Sequence, residues 1–593
     1  MTRYLMQISI GPVQDFIASA RRARDLWFGS FMLSEISKAV ARAIKESGGK
    51  LIFPYSKKLD SDLECGSDFN VANVILAEFD NEKIVKNASS DAKTGAENQW
   101  LSFVEKAYSG LEKGIYKDLW DYQVNKGVIE FYSAWYPFDN SDEASYKTAR
   151  QKVKRLIDAR KNLRDFEQWD GKPFVPKSSL DGLRESVLKD NKKPVIYGSF
   201  SKKEGESLDL IGCVKRFSGG RVHFPSVVRI AVDPWLRILA KNTKGKNLIK
   251  EIENICNELA DKNVISRVGN KVYELFPYEG SILLPSRHKE IIEEAVKTGK
   301  YDSTEIKEIL KNIEIKISVM KEIYPFKDPY LAILIADGDK MGKAISELNT
   351  RAQHREFSEQ LSTFAQYARK IVEECNGTCI YTGGDDVCAL LPIDKALKCA
   401  RNLYDSFASI WENGFYNISE KPTLSVGIAV MHTLEDLEMM REYAKKAENH
   451  AKEGERDDKS NKRNALAITM KTRGNEEIPI REQWSDTNAS KPIDERLQFW
   501  AERYARKEIP TRFAYELIEI ASLYENWSNE NTVSEAMKID VLNVFRRKDI
   551  KLTKEDKDNV EKYIKSQIKG SYKSIIRLSN ELIIAQWLGG YQA

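Results

Sequence analysis

Histidine is scarce in this chain: five among 593 residues, and none of them is followed by aspartate. A metal phosphohydrolase centre built on a His-Asp pair is excluded on that inventory. Cysteine is nearly as sparse, seven residues at positions 65, 213, 256, 375, 379, 388 and 399 with no Cys-x-x-Cys pair. An odd, scattered set of this kind reads as reduced thiols in a cytoplasmic protein and offers no zinc site. Long apolar runs are also missing. The longest, Tyr330 to Ala336, falls far short of the roughly 18 residues that a membrane-spanning helix needs. The opening Met1-Thr2-Arg3-Tyr4-Leu5 lacks a signal-peptide layout and reads as a strand entering a fold. Charge of one sign is not in excess either, because 93 basic minus 89 acidic side chains leave +4. A histone-like cation is ruled out, and any nucleic-acid contact must come from local patches.

What is present is enough to fold. Hydrophobic residues make up 42% and aromatics 10%, too many for a disordered chain, and the length implies about three to five domains. Residues 4–10 predict a short strand that Gly11-Pro12 turns into a helix. An interrupted apolar face (Phe16, Ala20, Leu26, Leu33, Ile36, Val40, Ile44) carries that helix to about residue 47. Strands at Lys50–Tyr55 and Val71–Phe79, a helix near 98–118 and an extended stretch near Val128–Tyr136 follow. The order β-α-β-β-α-β is the ferredoxin-like unit, and residues 1–150 are assigned to it. Residues 151–325 read as a mixed middle domain with a basic helical segment (Lys152–Arg164) and a strand-helix alternation from 208 to 298. A second ferredoxin-like unit occupies 326–474, with strands at Leu331–Ala336, Cys379–Thr382, Val387–Leu391, Leu424–Val430 and Ala465–Met470. After 475 the pattern is helical, near 494–507, 510–526, 532–547, 553–567 and 572–588, which predicts an all-α bundle. The fold class is α+β.

The strongest chemical constellation lies in the second unit. Asp337 and Asp339 sit where strand 331–336 ends, and Gly383-Gly384-Asp385-Asp386 joins two strands further on. In a β-α-β-β unit the first strand lies beside the hairpin, so a carboxylate at its end faces one at the turn. Glycines at 383 and 384 permit positive φ and remove side chains where a triphosphate would approach. Hard carboxylate oxygens suit Mg²⁺ or Mn²⁺, and two such ions about 4 Å apart serve nucleotidyl transfer. The expected ligands are Asp337 and Asp385, with Gly338 lending a carbonyl, Asp386 ligating or orienting, and Asp339 supporting. A plain solvated turn is the competing reading of the tetrapeptide alone, and Asp-Gly-Asp on the preceding buried strand argues against it. Lys445, Lys446, Lys452 and Lys462-Arg463-Asn464 offer ammonium groups for phosphates, or else form an ordinary solvated face, with Lys452 the foremost candidate. In the first unit, Gly11-Pro12-Val13-Gln14 precedes Arg21, Arg22 and Arg24. It reads either as a phosphate site at a helix N-terminus or as an ordinary proline-started helix. Basic clusters at Lys152–Arg164 and Arg546-Arg547-Lys548 are candidate RNA contacts or solvated faces.

Several of these segments together resemble a known family. They are Ile8-Ser9-Ile10-Gly11-Pro12-Val13-Gln14-Asp15-Phe16-Ile17, Ala20-Arg21-Arg22-Ala23-Arg24-Asp25-Leu26-Trp27, Ala336-Asp337-Gly338-Asp339-Lys340-Met341-Gly342 and the Gly-Gly-Asp-Asp hairpin. They resemble the large polymerase-cyclase subunit of type III CRISPR effector complexes, in its III-B (Cmr) branch. Lys177-Ser178-Ser179-Leu180-Asp181-Gly182, Val214-Lys215-Arg216 and Asn464-Ala465-Leu466-Ala467-Ile468 are similar to that branch too. The resemblance implies two palm domains, the second catalytic and GGDEF-related. It also implies conversion of ATP into cyclic oligoadenylate when guide RNA pairs with target RNA, with other Cmr subunits (small and stem-cap) as partners. Gly383, Gly384, Asp339, Lys340, Lys452, Gly11 and Pro12 are then expected at the nucleotide, and the helical tail against the small subunit and the guide–target duplex. Many members carry an N-terminal His-Asp nuclease domain, but this sequence starts at the first palm and none is expected. Some members hold zinc with four cysteines in the middle domain, where this chain reads Lys177-Ser178-Ser179-Leu180. Alternatives are an AMP transferase to S-adenosylmethionine, a nucleotide-binding scaffold without catalysis, and a stand-alone diguanylate-type cyclase. The last leaves the first palm and the tail without a role.

Overall fold

The structure, a computed structural model, describes residues 2–163, 169–189, 195–197, 200–202, 205–218, 224–268, 271–412, 418–454, 462–474, 476–484, 491–527, 531–548 and 550–591. In the first sheet β1 (Thr2–Gly11) lies between β3 (Val74–Phe79) and β4 (Glu130–Asp139), and β2 (Lys50–Phe53) flanks β3. All pairings are antiparallel, and the order β2-β3-β1-β4 is that of a ferredoxin-like unit. Two helices differ from the sequence reading. The first is a five-residue helix, Gln14–Ala18, followed after a break by Ala23–Glu46. The second is Glu82–Leu111, opened by an Asn81 side chain that accepts from the Ile84 N–H, which is a standard N-cap.

A short hairpin, β5 (Val195–Tyr197) and β6 (Phe200–Lys202), leads into a middle region that is helical rather than alternating. Its helices are Leu210–Ser218, Val227–Leu239, Thr243–Asp261, His288–Lys297 and Ser303–Ile323. The strand-helix alternation expected from 208 to 298 is therefore corrected. Residues such as Val228, Val232, Leu236 and Leu239 recur at helical spacing and bury together, so β-branched content there marks a buried helix face. Helix Glu143–Asn162 buries Tyr146, Ala149, Val153 and Ile157 and turns its lysines outward. Arg164 lies outside the described residues.

The second sheet comprises β7 (Tyr330–Asp339), β8 (Thr378–Gly383), β9 (Asp386–Pro392), β10 (Thr423–His432), β11 (Ala465–Lys471) and β12 (Glu477–Gln483), in the order β12-β11-β10-β7-β9-β8. The four strands β10-β7-β9-β8 repeat the ferredoxin-like order, and β11 is added parallel to β10. The sequence reading missed β12, whose Ile478 and Ile480 alternate into the core. Both faces of β7 are covered. Tyr330, Ala332, Leu334 and Ala336 face the helices Arg351–Glu374 and Ala396–Glu412, while Leu331, Ile333 and Ile335 meet Ala20, Ala23, Leu26, Ile230 and Ala231. A strand buried on two faces has no polar alternation, which explains the uninterrupted apolar run. The C-terminal helices are Ile493–Ala505, Arg512–Leu523, Asn531–Arg547, Lys554–Gln567 and Lys573–Gly589. Of the basic cluster there, Arg546 pairs with Glu561 at 2.5 Å and Lys548 with Glu516 at 2.6 Å.

Polar contacts join the two sheet units. Arg351 reaches Glu78 at 3.0 Å, Arg355 donates to the Leu51 carbonyl at 3.0 Å, and Arg150 donates to the Leu348 and Ile345 carbonyls at 3.0 Å each. His354, fully buried between Phe53 and Tyr146, sits 2.8 Å from the Thr350 carbonyl and 3.2 Å from that of Ile345. Burial, and then the charge of Arg150, push its pKa down from 6.5 to about 4. An unfolded chain takes up the proton below pH 6.5, while the folded one resists until about 4. Folding stability is thus lost as pH falls through that window, by roughly 3 kcal/mol at most. Thermal unfolding of the wild type and His354→Gln checks this. The stability difference between them is expected to shift against the wild type from pH 6.5 to 4, and a constant difference refutes it.

Candidate active site

Register brings the carboxylates together. β7 pairs with β9 only as far as Ala336 opposite Val387, while on its other side it pairs with β10 out to Asp339 opposite Thr423. The hairpin tip between β8 and β9 therefore overhangs the end of β7 at Asp337 and Gly338. Gly383 pairs with Asp386, leaving Gly384-Asp385 as a two-residue turn. Gly384 has φ +80° and Asp385 is not left-handed, the pattern of a type II′ hairpin. Gly383 does not use its expected freedom, because its φ is not positive and a Cβ there would meet open space. Gly338 is tighter. A Cβ on it would stand 2.8 Å from Asp385 Cβ, Asp385 Oδ2 and Met341 Cγ, so the missing side chain is the seat of Asp385.

The electrostatics follow from that crowding. Burial, and then the charge of Asp337, push Asp385 up to about 7. Asp386 is also pushed up, by crowding from surrounding atoms, by a hydrogen bond shared with Asp337, and by the charges of Asp385 and Asp337. Asp386 keeps an exposed face, which tempers the desolvation, so the shared proton and like charge carry its shift. Burial acts upward on Asp337 as well, but the Asp386 hydrogen bond and the Lys452 ammonium more than offset it and hold Asp337 low. Lys452 binds Asp337 directly and Glu448 at 2.7 Å. Glu448 is fully buried and also pairs with Lys445, an acid between two lysines on one face of helix Leu437–Glu453. That helix lies hard against β10 because position 427 is glycine, where a Cβ would stand 2.1 Å from the Glu448 nitrogen. Sequence reading passed over Glu448, although its i−3 and i+4 spacing to Lys445 and Lys452 was a usable signal.

Other expected site residues stand apart from the hairpin carboxylates. Asp339 is buried, with Thr423 and Ser425 hydroxyls donating at 2.8 Å and the Asn464 N–H at 3.0 Å. It ties β7 to β10 and to residue 464, and its oxygens are taken up by these bonds. Lys340, left-handed at φ 60°, pairs with Glu420. Lys446 pairs with Glu477 at 2.7 Å. Arg463 and Asn464 are both left-handed and turn the chain into β11. Gly11 ends β1 opposite Glu130, and the helix after Pro12 has only five residues without a side-chain cap. The expected anion site at a helix N-terminus is not formed there, since a dipole needs more than one turn of aligned peptides. Of the arginines, Arg22 pairs with Glu206 at 3.5 Å and Arg24 donates to the Arg216 carbonyl at 3.3 Å, while Arg21 is exposed. The motifs at 177–182 and 214–216 converge on this same bend. Ser19 donates to Asp181 at 3.1 Å, Lys215 to the Ser19 carbonyl at 3.1 Å, and Arg216 pairs with Asp25 at 2.6 Å and Glu206 at 2.9 Å.

The donor set at Asp337, Asp385 and Asp386 suits a hard divalent cation, being oxygen-only and more negative than Lys452 can balance. Among the described residues, no three His, Cys, Asp or Glu side chains stand ready as a cage. An ion would have to displace the shared proton and draw Lys452 off Asp337. Within those limits the residues fit Mg²⁺ or Mn²⁺.

Comparison with known proteins bears on this arrangement. The family model for the Cas10/Cmr2 second palm domain matches residues 330–467, and that for the N-terminal region of the CRISPR-associated protein Cmr2 matches residues 5–105. A curated relative, the Cmr2 subunit of the CRISPR Cmr system of Pyrococcus furiosus, is 24% identical over 523 residues, covering 72% of this chain and 57% of that protein. The chain thus spans little more than half of that relative's length. Among solved structures, type III-B Cmr-beta in its apo state aligns over 99% of this chain and 82% of the other, with TM-score 0.64 and 14% identity. Cmr-beta bound to cognate target RNA aligns over 93% and 79%, with TM-score 0.60 and 14% identity. At that identity the likeness is one of fold.

Proposed function

The chain belongs to the Cmr2 family, and on that premise we propose that it is the nucleotidyl-transferring subunit of a type III-B CRISPR effector complex. In this reading it acts with other Cmr subunits (small and stem-cap), guide RNA and target RNA, and converts ATP into cyclic oligoadenylate when target RNA is bound. A 3′-oxygen–Pα bond forms, the bond from Pα to the β-phosphate oxygen breaks, and pyrophosphate and the hydroxyl proton leave. The observation that carries the reading is the seating of Asp385 over Gly338, beside Asp337 and Asp386. A fold without catalysis gains nothing from holding three carboxyls at such mutual repulsion. When bound, Mg²⁺ or Mn²⁺ would supply charge neutralisation at the reacting phosphates, held by Asp337, Asp385 and Asp386. Glu448 keeps Lys452 within reach of that place, and the ammonium exchanges Asp337 for a phosphate oxygen.

The Lys452–Asp337 pair and the proton shared by Asp337 and Asp386 also favour a second reading, a nucleotide-binding scaffold without turnover. Incubating labelled ATP and Mg²⁺ with the assembled complex, with and without target RNA, tests between them. Product is expected only with target, and bound but unconverted ATP under both conditions supports the scaffold. Product mass, measured with and without S-adenosylmethionine, distinguishes ATP from that acceptor. For Lys452→Met, a lost charge-assisted contact predicts a KM for ATP raised about tenfold or more with a smaller fall in kcat. An unchanged KM removes Lys452 from the nucleotide.

A further inference from the structure

We propose that Asn70, in the first sheet unit, is a positioning residue for the Gly-Gly-Asp-Asp hairpin of the second; this rests on the catalytic reading above. β8 is the edge strand of its sheet, with β9 on one side only, so part of its backbone has no ladder partner. Its register also slips between Cys379 and Tyr381. The strand that carries the tip is therefore weakly fixed by the sheet itself. Asn70 supplies what is missing. Its Nδ2 donates to the Thr382 carbonyl at 3.1 Å and to the Thr382 hydroxyl at 2.8 Å, on the residue that immediately precedes Gly383. At the other end of β8, Tyr273 donates to the Asn376 carbonyl at 3.0 Å.

The segment that presents Asn70 is braced. Phe69 and Val71 on either side are buried in the first unit's core. The Val71 N–H donates to Ser34 Oγ at 3.0 Å, and the Gly66 N–H donates to Glu35 at 2.9 Å. Lys38 reaches Glu35 at 2.7 Å and both the carbonyl and the hydroxyl of Ser67 at 2.8 Å. Glu35 and Lys38 are each only 1% exposed. A buried ion pair is a costly way to hold a surface loop, and here it fixes the loop that touches the hairpin. Through Asn70, the stance of Asp385 and Asp386 depends on the first sheet unit, which contributes no carboxylate of its own.

The test uses full-length wild-type, Asn70→Ala and Asn70→Asp chains in the assembled complex. Asn70→Asp keeps the volume, removes the donor and adds a negative charge, while Asn70→Ala removes the donor without adding charge. Both variants are expected to lower kcat about tenfold or more while KM for ATP stays within about threefold. Amide hydrogen exchange over residues 380–387 is expected to quicken in both while the thermal midpoint holds. Wild-type turnover and exchange in Asn70→Asp overturn the proposal, since a space-filling role survives that change. If the wild type itself converts no nucleotide, the catalytic reading fails, and exchange alone then decides. Faster hairpin exchange in both variants upholds the contact, and unchanged exchange refutes it.

Discussion

Nucleotide turnover is expected to vanish, by about a thousandfold or more, when Asp385 and Asp386 are both replaced by alanine, while the chain stays folded. The loss follows from removing both hairpin carboxylates, which are most of the oxygen donors available to a divalent ion worth several kcal/mol at the transition state. The retained fold follows from the sign of the shifts. Both groups are pushed upward, Asp385 to about 7, so near neutral pH the fold either keeps a disfavoured charge there or takes up protons that the unfolded chain would release, and both cost stability. Taking them away relieves repulsion against Asp337 and leaves the β8–β9 register untouched. Thermal unfolding is expected to show a midpoint at or above the wild type. A double variant that still turns over ATP removes the hairpin from the chemistry. One that unfolds shows the carboxyls to be structural.

Gly338→Ala is expected to be nearly as damaging to catalysis, though it removes no functional group. Its new methyl would lie 2.8 Å from Asp385 and Met341, closer than real carbon contacts. β7 yields little there, because β10 pairs with it through Gly338 to Asp339 and β9 holds it up to Ala336. The hairpin tip must lift, and a displacement near 1 Å lowers kcat about a hundredfold, with overpacking strain of about 1–3 kcal/mol in stability. Gly383→Ala serves as the matched control for stability, since its methyl would meet nothing within 4 Å, and its thermal midpoint is expected to be unchanged. Kinetics and thermal unfolding of the two variants side by side check both statements.

The pieces of this site that follow local rules were legible in the sequence. β7 betrayed itself by an apolar run with Asp-Gly-Asp at its end, and the hairpin by glycines before two aspartates. The ferredoxin-like order then placed the one beside the other. The C-terminal helices were readable because their apolar residues recur at helical spacing and their ends coincide with loops. What was not legible depends on partners distant in sequence. The break between Ala18 and Ala23 exists because Asp181, Lys215 and Arg216 take the polar groups of that bend, and no local signal announces it. β12 was lost because Glu477, Pro479 and Arg481 interrupt its apolar residues. The middle helices read as strands because Val and Ile favour both when buried. Asp339 was expected in a supporting place at the nucleotide beside Asp337, yet the hydroxyls that claim it come from β10, over eighty residues on. Asn70 lies 312 residues from Thr382, and nothing around it marks it out.

Anomalous diffraction from crystals soaked with Mn²⁺ and a non-hydrolysable ATP analogue bears most directly on the carboxylates. Manganese peaks are expected against Asp337 and the hairpin carboxyls, with the triphosphate beside them and the Lys452 ammonium turned from Asp337 to a phosphate oxygen. Analogue bound elsewhere, with Lys452 still closed on Asp337 and no anomalous signal between β7 and the hairpin, would contradict the account.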